Sequence, residues 1–279
     1  MNRLETFGLI AVQAGRGELV FPTSVNAALQ LQLALNDPDC PLDEAIKLVL
    51  AEPVLAARTV ALANSTVFNR GGAPAVTNVR AAVMRVGYRN LYALAASIVV
   101  RQFGSRIVDP VLRKKAEQLW EHTAHVAALA QVVARRVTRV NPDTAVFAAI
   151  VHEVGGFYLL SRADEFPGLL DEDPENWKEL CEEIVTREVL KKLAIPDQVR
   201  EAIEAMRDGV LTVPPTTLLD TLLLANELAP VPSPLDVRVD DVLERSDGVS
   251  DFLIDNETLG TILDESADEV RSMQAALLV

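Results

Sequence analysis

Apolar residues recur at spacings of three and four along most of the chain, and period-two alternation is scarce. In the segment DEAIKLVLAE, Ala45, Ile46, Val49 and Leu50 are expected on one helical face, after the start signal Asp37-Pro38-Asp39-Cys40-Pro41. In Pro53–Ser65 the same spacing joins Leu55, Thr59 and Leu62. Asn78 is placed to cap a helix running to Met84, and Val86-Gly87-Tyr88 predicts a corner. Leu91–Phe103 is apolar nearly all round, which predicts a central, buried helix. A long helix is expected from Val111 to Val140, then a stop and new start at Asn141-Pro142-Asp143. Further helices are expected over Trp177–Ala194, Pro196–Arg207 and Pro214–Leu228, and the last is ended by the proline-rich run from Ala229 to Pro234. Prolines fall mostly at expected segment starts, where a missing N–H costs nothing. Phe166–Asn176 reads as an acidic surface loop, and weaker acidic helices close the chain. The pattern predicts an all-α fold, a two-part helical bundle.

One stretch departs from this regularity. Ala148–Leu160, AAIVHEVGGFYLL, is apolar except for His152-Glu153 and then Gly155-Gly156. The chain has only three histidines, and His122 and His125 lie one helical turn apart some thirty residues earlier. A tight turn at Asn141-Pro142 would lay the two helices antiparallel and bring His152 and Glu153 towards them. Histidine and carboxylate ligands from facing helices suffice for a metal site in a bundle. The plainer alternative has His122 and His152 hydrogen-bonding within the helix interface and His125 partly exposed. The paired glycines are expected to allow close helix packing or a break, Asn64-Ser65 to end a helix, and Trp120 and Trp177 to anchor the core.

Composition narrows the function. The chain has 279 residues, of which 49% are hydrophobic, enough for a sizeable core. There is no uninterrupted apolar run of membrane-spanning length, so no membrane association is expected. The N-terminus lacks the basic and apolar regions of a signal peptide. Two cysteines in unrelated contexts, Cys40 and Cys181, fit reduced thiols and a cytoplasmic location. A net charge of −14 repels phosphate backbones, so no direct nucleic-acid partner is expected. The basic residues Arg113, Lys114, Lys115, Arg135, Arg136 and Arg139 read as solvated helix faces. Gly71-Gly72 lacks the setting of a phosphate loop, and no nucleophile elbow occurs.

Trp120-Glu121-His122-Thr123, followed by His152-Glu153-Val154-Gly155-Gly156, resembles the HD superfamily of metal-dependent phosphohydrolases. A narrower resemblance, to the HDOD (HD-related output domain) family, is carried by several short motifs in order. These are Phe21-Pro22-Thr23, Asn36-Asp37-Pro38-Asp39, Ala51-Glu52-Pro53-Val54-Leu55, Leu62-Ala63-Asn64-Ser65 and Ala81–Gly87. The resemblance spans about Phe21 to Leu228. It implies an N-terminal helical HDOD subdomain at 1–108, a degenerate HD-like subdomain at 109–230 and an acidic helical extension at 231–279.

In the HD superfamily one histidine comes from a first helix, a His-Asp pair from a second and an aspartate from a later helix. The resemblance puts these on His122, on His152 with Glu153, and on Asn226. The pair's aspartate has become a longer glutamate and the distal one a neutral amide, a poorer ligand for a hard cation. His125 is a possible extra ligand. These departures imply a vestigial site with no catalytic residue, no cofactor and no metal; a retained metal would sit among His122, His125, His152 and Glu153. The expected role is a non-catalytic signalling or output module in bacteria, with a signalling protein or a second copy as partner. Two alternatives stay open: a metal-dependent phosphohydrolase or phosphodiesterase, and a nucleotide sensor using the vestigial pocket.

Overall fold

The computed structural model describes residues 2–19, 26–35, 37, 39–51, 53–65, 68–69, 74–104, 107–170, 177–193 and 195–236, with isolated helical positions between 260 and 271. Every regular element among them is helical. The N-terminal part of the chain forms α1 (Arg3–Gly15), α2 (Asn26–Leu35), α3 (Leu42–Leu50), α4 (Pro53–Asn64) and α5 (Val79–Gly104). Next come α6 (Pro110–Val133), continued by a π-turn over Ala134–Thr138, then α7 (Pro142–Val151) and α8 (Val154–Ala163). A second π-turn over Lys178–Glu182 leads into α9 (Glu183–Lys192), and α10 (Asp197–Ala205) and α11 (Leu218–Glu227) follow.

The bundle is organised around α5. Its apolar half is buried over Leu91–Val100, and it packs on α2 and α4 on one side and on α7 and α8 on the other. The corner predicted at Gly87 is a kink inside this helix, with φ 77° and ψ 161°, a conformation that glycine alone adopts without strain. Asn78 caps the helix by accepting from the Ala81 amide at 2.8 Å. Aromatic contacts stitch the layers: Tyr92 meets Phe147 edge-on at 4.7 Å, and Trp120 meets Phe157 at 6.2 Å. Both tryptophans are core anchors, Trp120 at 5% and Trp177 at 1% exposure.

The antiparallel pairing of α6 with α7 is present, and the turn between them is set by its caps. Asn141 accepts from the Thr144 amide, and Pro142 occupies the first helical position. The helix expected to reach Val140 leaves α geometry after Val133. The π-turn then closes on Arg139, in the left-handed region at φ 61°. Leu50, expected on the buried face of α3, is 58% exposed. Ala45, Ile46 and Val49 already fill that face, and a step of five residues from Ala45 turns Leu50 away. The segment opening at Pro214 is not helical, and α11 begins only at Leu218, capped by Thr217.

Two features were not legible in the pattern. α1 packs against α9 and the π-turn at Lys178, inside the second half of the chain. And Pro142–Ala163, apolar enough to pass as a membrane span, has 78% of its apolar window buried within the bundle. Several family-like motifs lie wholly or partly outside the described residues, at Phe21-Pro22-Thr23, Asn36, Pro38 and Glu52, as do the Gly71-Gly72 loop, residues 171–176 of the acidic loop and most of the extension beyond Asp236. Asn64, from the Leu62–Ser65 motif, clips the loop that follows it: its amide donates to the Val76 carbonyl at 2.8 Å and its oxygen accepts from the Val76 amide at 2.7 Å.

Candidate functional site

The α7–α8 helix breaks for two residues, His152 and Glu153, and the break faces α6. His122 of α6 is 1% exposed and its ring stands 5.5 Å from that of His152. Its Nε2 lies 4.0 Å from Glu153 Oε1. One ligand-capable atom from each of His122, His152 and Glu153 falls within 4.8 Å of the others. Asn226, from α11, lines the same pocket as His152 and Glu153. The four residues aligned with the superfamily's site therefore converge. His125 is half-buried and lies outside the three-residue cluster. One helical turn from His122 is not enough to aim both rings inward.

Each imidazole uses Nδ1 on a backbone carbonyl. His122 donates to Val231 O at 2.7 Å, and His152 donates to Ala149 O at 2.6 Å. Both Nε2 atoms are buried and without a hydrogen-bond partner. Burial, then the neighbouring His122, pushes His152 down to about 4, so its ring is neutral near neutral pH; the Ala149 carbonyl, Asp236 and Asn226 pull weakly the other way. Burial also pushes Glu153 up to about 8, helped by Asp236 and Glu182 and opposed by the Ser233 hydroxyl and Lys178.

Gly155 and Gly156 let neighbouring chain approach this break. A Cβ on Gly155 would stand 2.1 Å from Thr186 Oγ1 of α9, and one on Gly156 would stand 2.7 Å from Leu235 Cδ1. Leu235 belongs to a strap the sequence pattern read only as a helix terminator. Its prolines keep it out of helix, and its bends and turn leave the Val231 and Pro232 carbonyls free to accept. Val231 O takes the His122 proton, and Pro232 O accepts from Gln118 at 3.1 Å. Ser233 bonds the Glu153 carboxyl, Leu235 is buried over Gly156, and Asp236 pairs with Lys178 at 2.5 Å. The strap covers the His122 side of the centre. The other side opens into a cavity of about 400 Å³ that includes Lys178, Glu182, Arg207 and Asp236. These four were missed by sequence reasoning, because no local signal ties them to residues tens of positions away.

Two imidazoles and one carboxyl group match zinc's donor preferences in type. The side chains would need to draw in by about 1 Å to reach tetrahedral spacing around ~2.1 Å bonds. The basic residues serve local roles: Arg113 bonds the Ile107 carbonyl, Lys115 the Leu170 carbonyl and Arg139 the Arg135 carbonyl.

The HDOD domain family matches residues 21–205, about two thirds of the sequence. The chain belongs to the HDOD family. Among solved structures this HDOD chain is similar to a protein of Shewanella amazonensis SB2B named provisionally as a metal-dependent phosphohydrolase. The two share 21% identity and a TM-score of 0.73, over 99% of this chain and 100% of that one. It is also similar to an HDOD domain protein of unknown function from Geobacter sulfurreducens, at 24% identity and TM-score 0.64, over 99% of each chain. A third, from Marinobacter aquaeolei VT8 and named provisionally as a signal transduction protein, has 18% identity and a TM-score of 0.57, over 94% of this chain and 60% of that one. At these identities the likeness establishes the HD-like helical fold. No curated protein matches the sequence.

Proposed function

We propose that this HDOD protein is a non-catalytic signalling or output module that works by binding another protein in the bacterial cytoplasm. The observation that carries the reading is the state of the former catalytic centre. Asn226 stands where a second carboxylate is needed, and the 231–236 strap is bonded across His122 and Glu153. A hydrolytic metal needs ligand charge, and a neutral amide at Asn226 does not supply it. The net charge of −14 favours a partner with a basic face, and association that weakens as salt rises.

The convergence of His122, His152 and Glu153 within 4.8 Å supports one competing reading, a metal-dependent phosphohydrolase. Those three residues would hold the ion, which would supply Lewis-acid polarisation of a phosphoryl oxygen and an activated water. The test is a turnover assay of the full chain on a generic phosphodiester with Zn²⁺, Mn²⁺ or Mg²⁺ added. No turnover is expected. Metal-dependent turnover that is lost in His152→Ala would overturn the signalling-module reading. A companion capture experiment from the native host, at low and then high salt, should recover a partner that salt releases.

A further inference from the structure

The hydrogen bonds of the two imidazoles leave an unusual surplus. With Nδ1 of His122 and His152 donating to Val231 O and Ala149 O, each Nε2 is an acceptor. Both are buried and unpartnered, and His122 is 1% exposed with its Nε2 aimed at the Glu153 carboxyl, 4.0 Å away. The two Nε2 atoms and a Glu153 carboxyl oxygen therefore lie within 4.8 Å of one another with the Asn226 amide beside His152, and a cation entering among them would displace the proton that burial holds on Glu153. A primary ammonium has three donors, a positive charge and no acceptor, which is the complement of this set.

The cavity outside continues the same chemistry. Its wall brings Glu182, Glu183, Glu204, Asp208 and Asp236 beside Glu153, against Lys178 and Arg207. Arg207 is paired with Glu183 at 3.2 Å, and Arg187 joins Glu183 to Glu204, so those acids are already matched. Lys178 is held on Asp236, which shows that this wall seats an ammonium. Among the described residues Glu182 and Asp208 form no direct ion pair, although Lys178 and Arg207 act on Glu182 from a distance. Between the charged groups, Ile203, Met206 and Leu223 offer an apolar surface for a methylene chain. The volume of about 400 Å³ is in the range of small-ligand pockets.

We propose that this pocket binds an aliphatic diamine or polyamine, with one ammonium among His122, His152 and Glu153 and a second on the outer carboxylates. A phosphate-bearing ligand meets the same carboxylates and is repelled. The proposal deepens the signalling reading by naming what the vacated centre senses.

The test is calorimetric titration of the full-length protein at low salt with 1,4-diaminobutane and spermidine, beside AMP and Zn²⁺. One-to-one uptake of the amine is expected with Kd below about 1 mM, weaker at higher salt. Affinity should fall about tenfold in Glu153→Gln and in His152→Ala, the size expected for one lost charge-assisted bond, and severalfold in Glu182→Gln. Circular dichroism and Tm identify variants that remain folded, and ¹⁵N spectra of the histidine rings should show Nε2 shifts on amine addition in the unmodified protein. No heat from either amine up to about 10 mM, binding of AMP in preference, uptake unaffected by E153Q and H152A, or Zn²⁺ uptake that spermidine does not displace would each overturn the proposal. Failure here with no phosphodiester turnover leaves the non-catalytic reading standing; turnover would sink that reading whatever the amine does.

Discussion

Asp220 offers the most direct check on how the distal helix of the site is held. It is fully buried at the start of α11, with no cation beside it. Instead Oδ1 accepts from the Thr212 amide at 2.8 Å. Oδ2 accepts from Thr212 Oγ1 and from the amides of Thr216 and Thr217 and the Thr217 hydroxyl, at 2.7–2.9 Å. Burial alone would raise this carboxyl, but the bonds from Thr212, Thr217 and Thr216 outweigh it and hold it at about 2, against an ordinary 3.8. A depressed acid stabilises the fold above its unfolded value and loses that contribution as pH falls through the folded one. The difference of nearly two units corresponds to about 2 kcal/mol, present at neutral pH and lost between pH ~4 and ~2.

Asp220→Asn sets an amide NH₂ against a ring of donors, so about 3 kcal/mol of destabilisation is expected at neutral pH. Urea unfolding of both proteins from pH 7 to pH 2 measures it. The unmodified chain should lose stability across the acid limb, and the variant, already weakened, should show a shallower limb there. A variant within about 0.5 kcal/mol of the parent at pH 7, with the acid limb unchanged, would refute the claim that these bonds carry α11.

Other outcomes follow from the same geometry. Gly155→Ala should destabilise by about 1–3 kcal/mol by overpacking against Thr186, measured by thermal unfolding. Thr186→Ala should recover only part of that loss in the double mutant, because the Thr186 backbone also stands 3.1 Å from the new methyl. Asn226→Asp should raise divalent-metal affinity by tenfold or more in calorimetry, and no gain would place Asn226 outside reach of the His122–His152–Glu153 cluster. Leu235→Ala, alone or with Lys178→Ala, should speed amide exchange over residues 231–236 with little change in α5; equal protection in the variants would show that these contacts do not hold the strap.

The HDOD motifs at the N-terminal side take on physical roles in the structure. Asn64 ties its helix end to Val76, and Gly87 supplies the kink that lets α5 serve both layers. His122 and His152 lie close enough for a metal site, and the Nδ1 of each is explained as a donor to a carbonyl. The orphaned Nε2 atoms are what a purely structural role does not explain.

What the sequence determined by itself was local in cause. Apolar spacing, caps at Asn78 and Asn141, and proline placement specified helices, because each depends on residues within a turn or two. The short Asn141-Pro142 turn allowed an antiparallel packing of α6 and α7 that would bring His152 towards His122, and the two rings lie 5.5 Å apart. The tertiary structure decided what depends on distant chain segments: α1 docking on α9, Lys178 and Glu182 entering the pocket, and the proline-rich strap crossing beside His122. Polar partners such as Asp236 and Lys178 carry no periodicity. Only packing brings them together, and it is their charge, with the tautomers fixed by Val231 and Ala149, that gives the pocket its chemistry.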